Sequence, residues 1–174
     1  PAFYAQFKGN LSLNKILGGL VKLGFDGVFE VAWAAEILAD EIDRYLKKPN
    51  LALPIISSAC PAVVRLIQVR FPNLIDNIVK LESPMEVIAG IARRKTAEEA
   101  GIPSDEIGVF FITPCAAKAT SIKAPYEKEK SNVDGAISIK DICLRLLNEM
   151  ERLDIQENME IAGFNGVSWA NSGG

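Results

Sequence analysis

Two cysteines constrain this chain most, because each stands where a strand should hand over to a helix and each adjoins a proline. Cys60 lies in Ile55-Ile56-Ser57-Ser58-Ala59-Cys60-Pro61-Ala62, and Cys115 in Phe110-Phe111-Ile112-Thr113-Pro114-Cys115-Ala116-Ala117-Lys118. In both, a short apolar run ends in small residues, the cysteine follows, and helix-forming sequence comes next. A thiol at a helix N-terminus feels unpaired backbone N–H groups and the positive end of the dipole. Both favour the thiolate, the form that binds metal or attacks an electrophile. Taken singly, either residue also fits a small buried hydrophobe, as free cysteines commonly are. Open α/β sheets place ligands beyond the carboxyl ends of their strands, so the shared context points both cysteines to one site.

The rest of the pattern supports alternating strands and helices. Ala2 to Phe7 is short and aromatic, compatible with a strand. Ser12 can cap a helix through Leu13, Ile16, Leu17, Leu20 and Leu23, with Gly24 as terminator. Phe25 to Val31 reads as a strand, Ala34 to Leu46 as a helix, and Leu53 to Ser57 as a buried strand. Pro61 suits the first turn of a helix ending near Phe71. Ser83-Pro84-Met85-Glu86 is a capping box, and Gly101 closes that helix. Ile107 to Ile112 has the continuous apolar character of a buried strand, and Val133 to Ile137 resembles another. Ser138-Ile139-Lys140-Asp141 starts a helix to about Leu153. The expected fold class is α/β, with mostly parallel strands alternating with helices. Residues 119–132, charged and holding Pro125, read as a mobile loop.

Composition narrows the chemistry. The chain has 174 residues and 49% apolar content, enough for one core or two small lobes. A net charge of -3 gives little electrostatic case for nucleic acid. No run approaches the roughly 18 apolar residues of a membrane span. No secretory signal is visible, and three cysteines form no disulfide framework, so a cytoplasmic, reducing setting is expected. The chain has no histidine. That removes the commonest general base and the usual zinc ligand, leaving thiolates to select soft or iron–sulfur centres. Lys118, one helical turn past Cys115, can hold an anionic ligand or remain a solvated lysine. Cys143 falls in step with Ile139, Ile142, Leu146 and Leu147 and reads as core. Glu36, Asp40, Glu41 and Asp43 mix with Arg44 and Lys47 as a solvated helix face. The Gly163 to Gly166 stretch and Gly173-Gly174 are weak as a phosphate loop, with no Walker pattern.

These residues resemble a family. Ser57-Ser58-Ala59-Cys60-Pro61-Ala62 is similar to the Thr-Ser-Cys-Cys-Pro-Gly motif of the iron-only ([FeFe]) hydrogenases. Ile112-Thr113-Pro114-Cys115-Ala116-Ala117-Lys118 resembles their Met-Pro-Cys-Thr-Ala-Lys motif. Pro1-Ala2-Phe3, Leu23 to Phe29, Ala34-Ala35-Glu36, Ser83-Pro84-Met85 and Ser172-Gly173-Gly174 fall in the family's order, so the resemblance runs almost end to end. It implies part of a two-lobed catalytic domain built around an H-cluster, a 4Fe-4S cubane bridged by a cysteine sulfur to a two-iron unit. By resemblance Cys60 and Cys115 would ligate the cubane, Lys118 would donate to a cyanide of the two-iron unit, and Pro114 would shape the cavity.

The family's other two cysteines lie in a third motif beyond the closing glycine pair. Residues 1–174 therefore read as a fragment of the H-cluster domain, inactive alone and without the intact cluster. The parent's partners would be H2, protons, and electron-transfer iron–sulfur domains or ferredoxin. The family's relay cysteine is replaced by Ala59, a relay serine by Val79, and the methionine near the second ligand by Thr113. A methyl or isopropyl group carries no proton, which resembles the slow, H2-sensing members fused to PAS domains. Two other readings stay open: a non-enzymatic iron–sulfur relative of the prelamin-recognition type, serving cluster assembly, and an α/β binding module with inert cysteines.

Overall fold

The computed structural model describes residues 2–7, 12–126 and 128–152. The glycine stretches near the C-terminus, and Leu153 where the last helix was expected to end, lie outside the described residues. Among the described residues, six α-helices and a two-stranded ribbon follow one another: α1 (Leu13–Lys22), α2 (Val31–Leu46), α3 (Pro61–Arg70), α4 (Pro84–Ala100), β1 (Phe110–Thr113), α5 (Ala116–Lys123), β2 (Gly135–Ser138) and α6 (Ile139–Arg152). The strands run parallel, with Phe110 opposite Gly135 and Thr113 opposite Ser138. The α/β class read from the sequence is correct.

Helix boundaries follow local chemistry. Ser12 Oγ accepts from Lys15 N at 3.2 Å and starts α1. Ser83 Oγ accepts from Glu86 N at 3.4 Å and starts α4, whose Pro84 needs no N–H partner in the first turn. Gly101 ends α4 at φ 69°, a left-handed conformation that glycine adopts without steric cost. Only half of the expected capping box forms. The Glu86 carboxylate instead accepts from Ser131 Oγ at 2.5 Å and Asn132 N at 2.8 Å, tying α4 to the segment before β2.

The ribbon separates two apolar clusters. On one face Ile112 and Ile137 pack with Ile16 and Leu20 of α1 and Ile142 and Leu146 of α6. On the other, Phe111 packs with Met85 and Ala89 of α4 and Ile122 of α5. A third cluster joins Val64 and Ile67 of α3 to Ile56 and Ile78. Cys143 is half-buried on α6, and burial pushes its thiol pKa up, in keeping with a packing role.

The strand expectations need correction. Tyr4–Gln6 is a 3-10 turn, because Phe3, Tyr4 and Phe7 pack onto the α1/α6 cluster as a cap and pair with no strand. Phe25 and Val28 join the same cluster, and residues 25–30 form no strand. The Leu53 to Ser57 run reduces to one parallel bridge, Ile56 with Ile78. β1 begins three residues later than Ile107, and Phe110 is 55% exposed, so it is not a doubly buried strand. β2 likewise starts at Gly135 and not at Val133. Residues 119–123, read as loop, complete α5, as the helix-forming run from Ala116 to Ala119 favours.

Arg93 of α4 fastens the ribbon. Its guanidinium donates to Asp134 Oδ2 at 2.5 Å, Asn132 O at 3.2 Å, Ser104 O at 3.1 Å and the Ile107 carbonyl. Partial burial pushes the Asp134 carboxyl pKa up, but the Val109 N–H, the Arg93 hydrogen bond and charge, and Lys130 together hold it below the ordinary carboxylate range. A carboxylate depressed in the folded state contributes stability that is complete above its unfolded pKa and is lost as pH falls through the folded value. Thermal melts should therefore show Asp134→Asn lowering the melting temperature at neutral pH and shrinking the decline seen below about pH 4. An unchanged acid limb would contradict this account.

Candidate functional site

The two cysteine loops are built alike. Cys60 is the N-cap of α3 at φ -102°, ψ 105°, and Cys115 is the N-cap of α5 at φ -98°, ψ 111°. Extended backbone at this position is what lets an N-cap carbonyl open the helix while its side chain stays outside it. The Cys60 carbonyl accepts from Val64 N at 3.1 Å, and that of Cys115 from Ala119 N at 3.3 Å. Neither thiol caps its helix, and both are free, Cys60 exposed and Cys115 half-buried. In each loop a hydroxyl takes a backbone N–H two residues on: Ser57 Oγ from Ala59 N at 3.3 Å, and Thr113 Oγ1 from Cys115 N at 3.2 Å.

Separate anchors position the loops. The Cys115 loop follows directly from β1. The Cys60 loop is held by Ile56, whose N donates to Asn77 O at 2.9 Å and whose O accepts from Val79 N at 2.9 Å. Ser58 Oγ adds a bond to Leu81 O at 3.0 Å. The sequence offered no signal that singled out Ser58 for this part.

Lys118 joins the two. From the first turn of α5, its Nζ donates to Ala59 O at 3.3 Å, across 59 positions of sequence, and α3 packs against α5. Among the described residues this is the hydrogen bond that connects the two cysteine loops. An ammonium has three donors, so two remain for an anionic ligand. Pro114 is exposed beside Cys115. A cavity of about 1170 Å³ opens on the same helix ends, lined by Pro61, Ala62 and Arg65 of α3 and by Ala117, Lys118 and Ser121 of α5. The cysteines border those turns without lining the cavity. Ala59 and Val79 share a smaller pocket of about 200 Å³.

The donor set limits what the chain holds by itself. A 4Fe-4S cubane takes four thiolates. Among the described residues no group of three or more potential ligands converges. The chain's three cysteines, Cys60, Cys115 and Cys143, are fewer than the four thiolates of such a cluster.

Comparison with known proteins gives this geometry its context. The family described as "Iron only hydrogenase large subunit, C-terminal domain" matches residues 1–174. The chain belongs to that family. It is 30% identical over 164 residues to the NADP-reducing hydrogenase subunit HndD of Solidesulfovibrio fructosivorans, covering 89% of this chain and 27% of that protein. It is 28% identical over 85 residues to a cytosolic Fe-S cluster assembly factor, nar1, of Aspergillus terreus, covering 48% of this chain and 14% of that protein. Among solved structures, a variant of the hydrogenase HydA1 of Chlamydomonas reinhardtii superposes with a TM-score of 0.69 at 20% identity, covering 91% of this chain and 42% of that one. That likeness shows the fold. The family member described here thus spans about a quarter of the curated hydrogenase it matches and two fifths of the solved one. Another relative, from Nitratidesulfovibrio vulgaris, is named as periplasmic. No described helix is long and apolar enough to cross a membrane.

Replacing Lys118 by Met removes the bond between the loops while keeping the stem. A part-buried hydrogen bond from a charged donor is worth about 1.5–3 kcal/mol. Lys118→Met should accelerate amide hydrogen exchange at Ala59, Cys60 and Ala62 by about tenfold or more, with Lys118→Arg restoring much of the protection. Equal exchange in wild type and Lys118→Met would show that the bond does not hold the loop.

Proposed function

We propose that residues 1–174 are part of the H-cluster domain of an iron-only hydrogenase-like protein. The parent protein binds H2 and interconverts it with protons and electrons, slowly, in a role suited to sensing. Its electrons pass to further iron–sulfur domains or a ferredoxin. Cys60 and Cys115 supply two of the four cubane thiolates, and the other two come from a third motif elsewhere in the parent. Lys118 would offer its two remaining donors to anionic ligands of the two-iron unit, and Pro114 would shape the wall beside it. An H-cluster would supply the reversible heterolysis of H2, and these residues would help to hold and orient it.

The observation that supports the reading is the Lys118 Nζ to Ala59 O bond, which links the two family-like motifs. Infrared spectroscopy of the parent protein, matured with its two-iron unit, tests it. CO and cyanide stretches that shift under H2 are expected. Iron and sulfide without those bands would favour the second reading, a non-enzymatic iron–sulfur protein, for which the similarity to the assembly factor nar1 speaks.

Slow turnover follows from Ala59, next to Cys60 in the chain, and from Val79 at the relay serine's position, neither of which carries a proton. In the active parent, Ala59→Cys should raise turnover by about tenfold or more, since a positioned proton carrier contributes roughly a hundredfold or more. Unchanged turnover would remove the relay argument and leave the site assignment standing.

A further inference from the structure

We propose that Glu82 carries protons between bulk water and this site, on a route that does not use the residue next to the first thiol. The inference rests on the proposed function. Glu82 stands just ahead of Ser83, the N-cap of α4, and lines the cavity of about 1170 Å³ that also holds Lys118. It lines as well the pocket of about 200 Å³ whose wall includes Ala59. Among the described residues it is the one titratable side chain that the two spaces share. Its side chain is 45% exposed, so a single carboxylate meets both bulk water and the interior of the site.

The surroundings suit a group that gains and loses a proton. Lys128 pairs with Glu82 and its Nζ stands 3.5 Å from Glu86 Oε2. Glu86 is held in place: its side chain is 9% exposed and accepts from Ser131 Oγ and Asn132 N. Neutralising one partner of an ion pair ordinarily strands the other charge. Here Glu86 still balances the Lys128 ammonium after Glu82 is protonated. Arg65, Arg70, Lys80 and Lys118 are the other charges on the wall of the larger cavity. Guanidinium and ammonium groups only donate, whereas a carboxyl accepts when ionised and donates when protonated. The step is proton transfer alone. Ionised Glu82 accepts a proton released into the cavity, becomes the neutral acid, and gives it to bulk water, which restores the carboxylate; no electron moves. The reverse order delivers protons inward.

Substitution in the active parent tests this. Glu82→Gln keeps the shape and removes the carboxyl. Turnover should fall by about tenfold or more, since a positioned proton carrier contributes roughly a hundredfold or more, and Glu82→Asp should keep most of it. The loss should disappear in an Ala59→Cys background, where a thiol supplies a second carrier; a merely structural effect would persist there. Infrared difference spectra, H2 against argon, should contain a carboxylic acid C=O band that Glu82→Gln removes. Unchanged turnover in Glu82→Gln with CO and cyanide bands intact, or an equal loss in both backgrounds, would overturn the proposal and leave the site assignment standing. A parent without those bands would remove the proposed function and this inference with it.

Discussion

One guanidinium connects the helical body to the ribbon that aims the second thiol. Arg93 spends its donors on the carbonyls of Ser104 and Ile107 ahead of β1, and on the carbonyl of Asn132 and the carboxylate of Asp134 ahead of β2. The planar fork of arginine suits several acceptors held at fixed angles, which a lysine could not satisfy in the same way. Its side chain is 17% exposed, so removal of a partner would leave a charge poorly solvated. The Val109 N–H also donates to Asp134 Oδ2 at 2.8 Å, which sets where the two strands begin to pair. Cys115 follows β1 by two residues, and its place inherits that register.

The Cys60 loop depends on a different anchor, and the contrast is informative. It hangs from a single parallel bridge and from Ser58, without a regular strand. Lys118 therefore links a loop carried by the ribbon to one carried by the third apolar cluster. Two independently supported pieces meet where α3 packs against α5, one hydrogen bond links their cysteine loops, and the larger cavity lies along the same helix turns.

Helices were legible in the sequence because their signals are local. Ser12, Ser83, Gly24 and Gly101 mark ends by chemistry that acts within a few residues, and Cys60 and Cys115 were found for the same reason. Strands were less so. The aromatic run at Tyr4 and the Phe25 to Val31 run have strand-like composition, yet a strand needs a partner edge, which composition does not supply. Their aromatic and branched side chains instead close the cluster between α1 and α6. Nor could spacing reveal that the Glu86 carboxylate would serve the Ser131 segment in place of its own helix cap, or that Lys118 would reach Ala59. Both contacts join positions far apart in sequence, where only tertiary packing decides.

The bond between Lys118 and Ala59 uses a main-chain carbonyl, which every residue type possesses. Nothing in that link depends on what side chain position 59 carries. The chemistry next to the first thiol is thereby uncoupled from the architecture that aligns the two thiols. A lineage could exchange a proton-carrying side chain for a methyl there, or reverse the change, without rebuilding the scaffold. The residue type at position 59 becomes adjustable by a single codon, while the link between the two cysteine loops passes through unaltered.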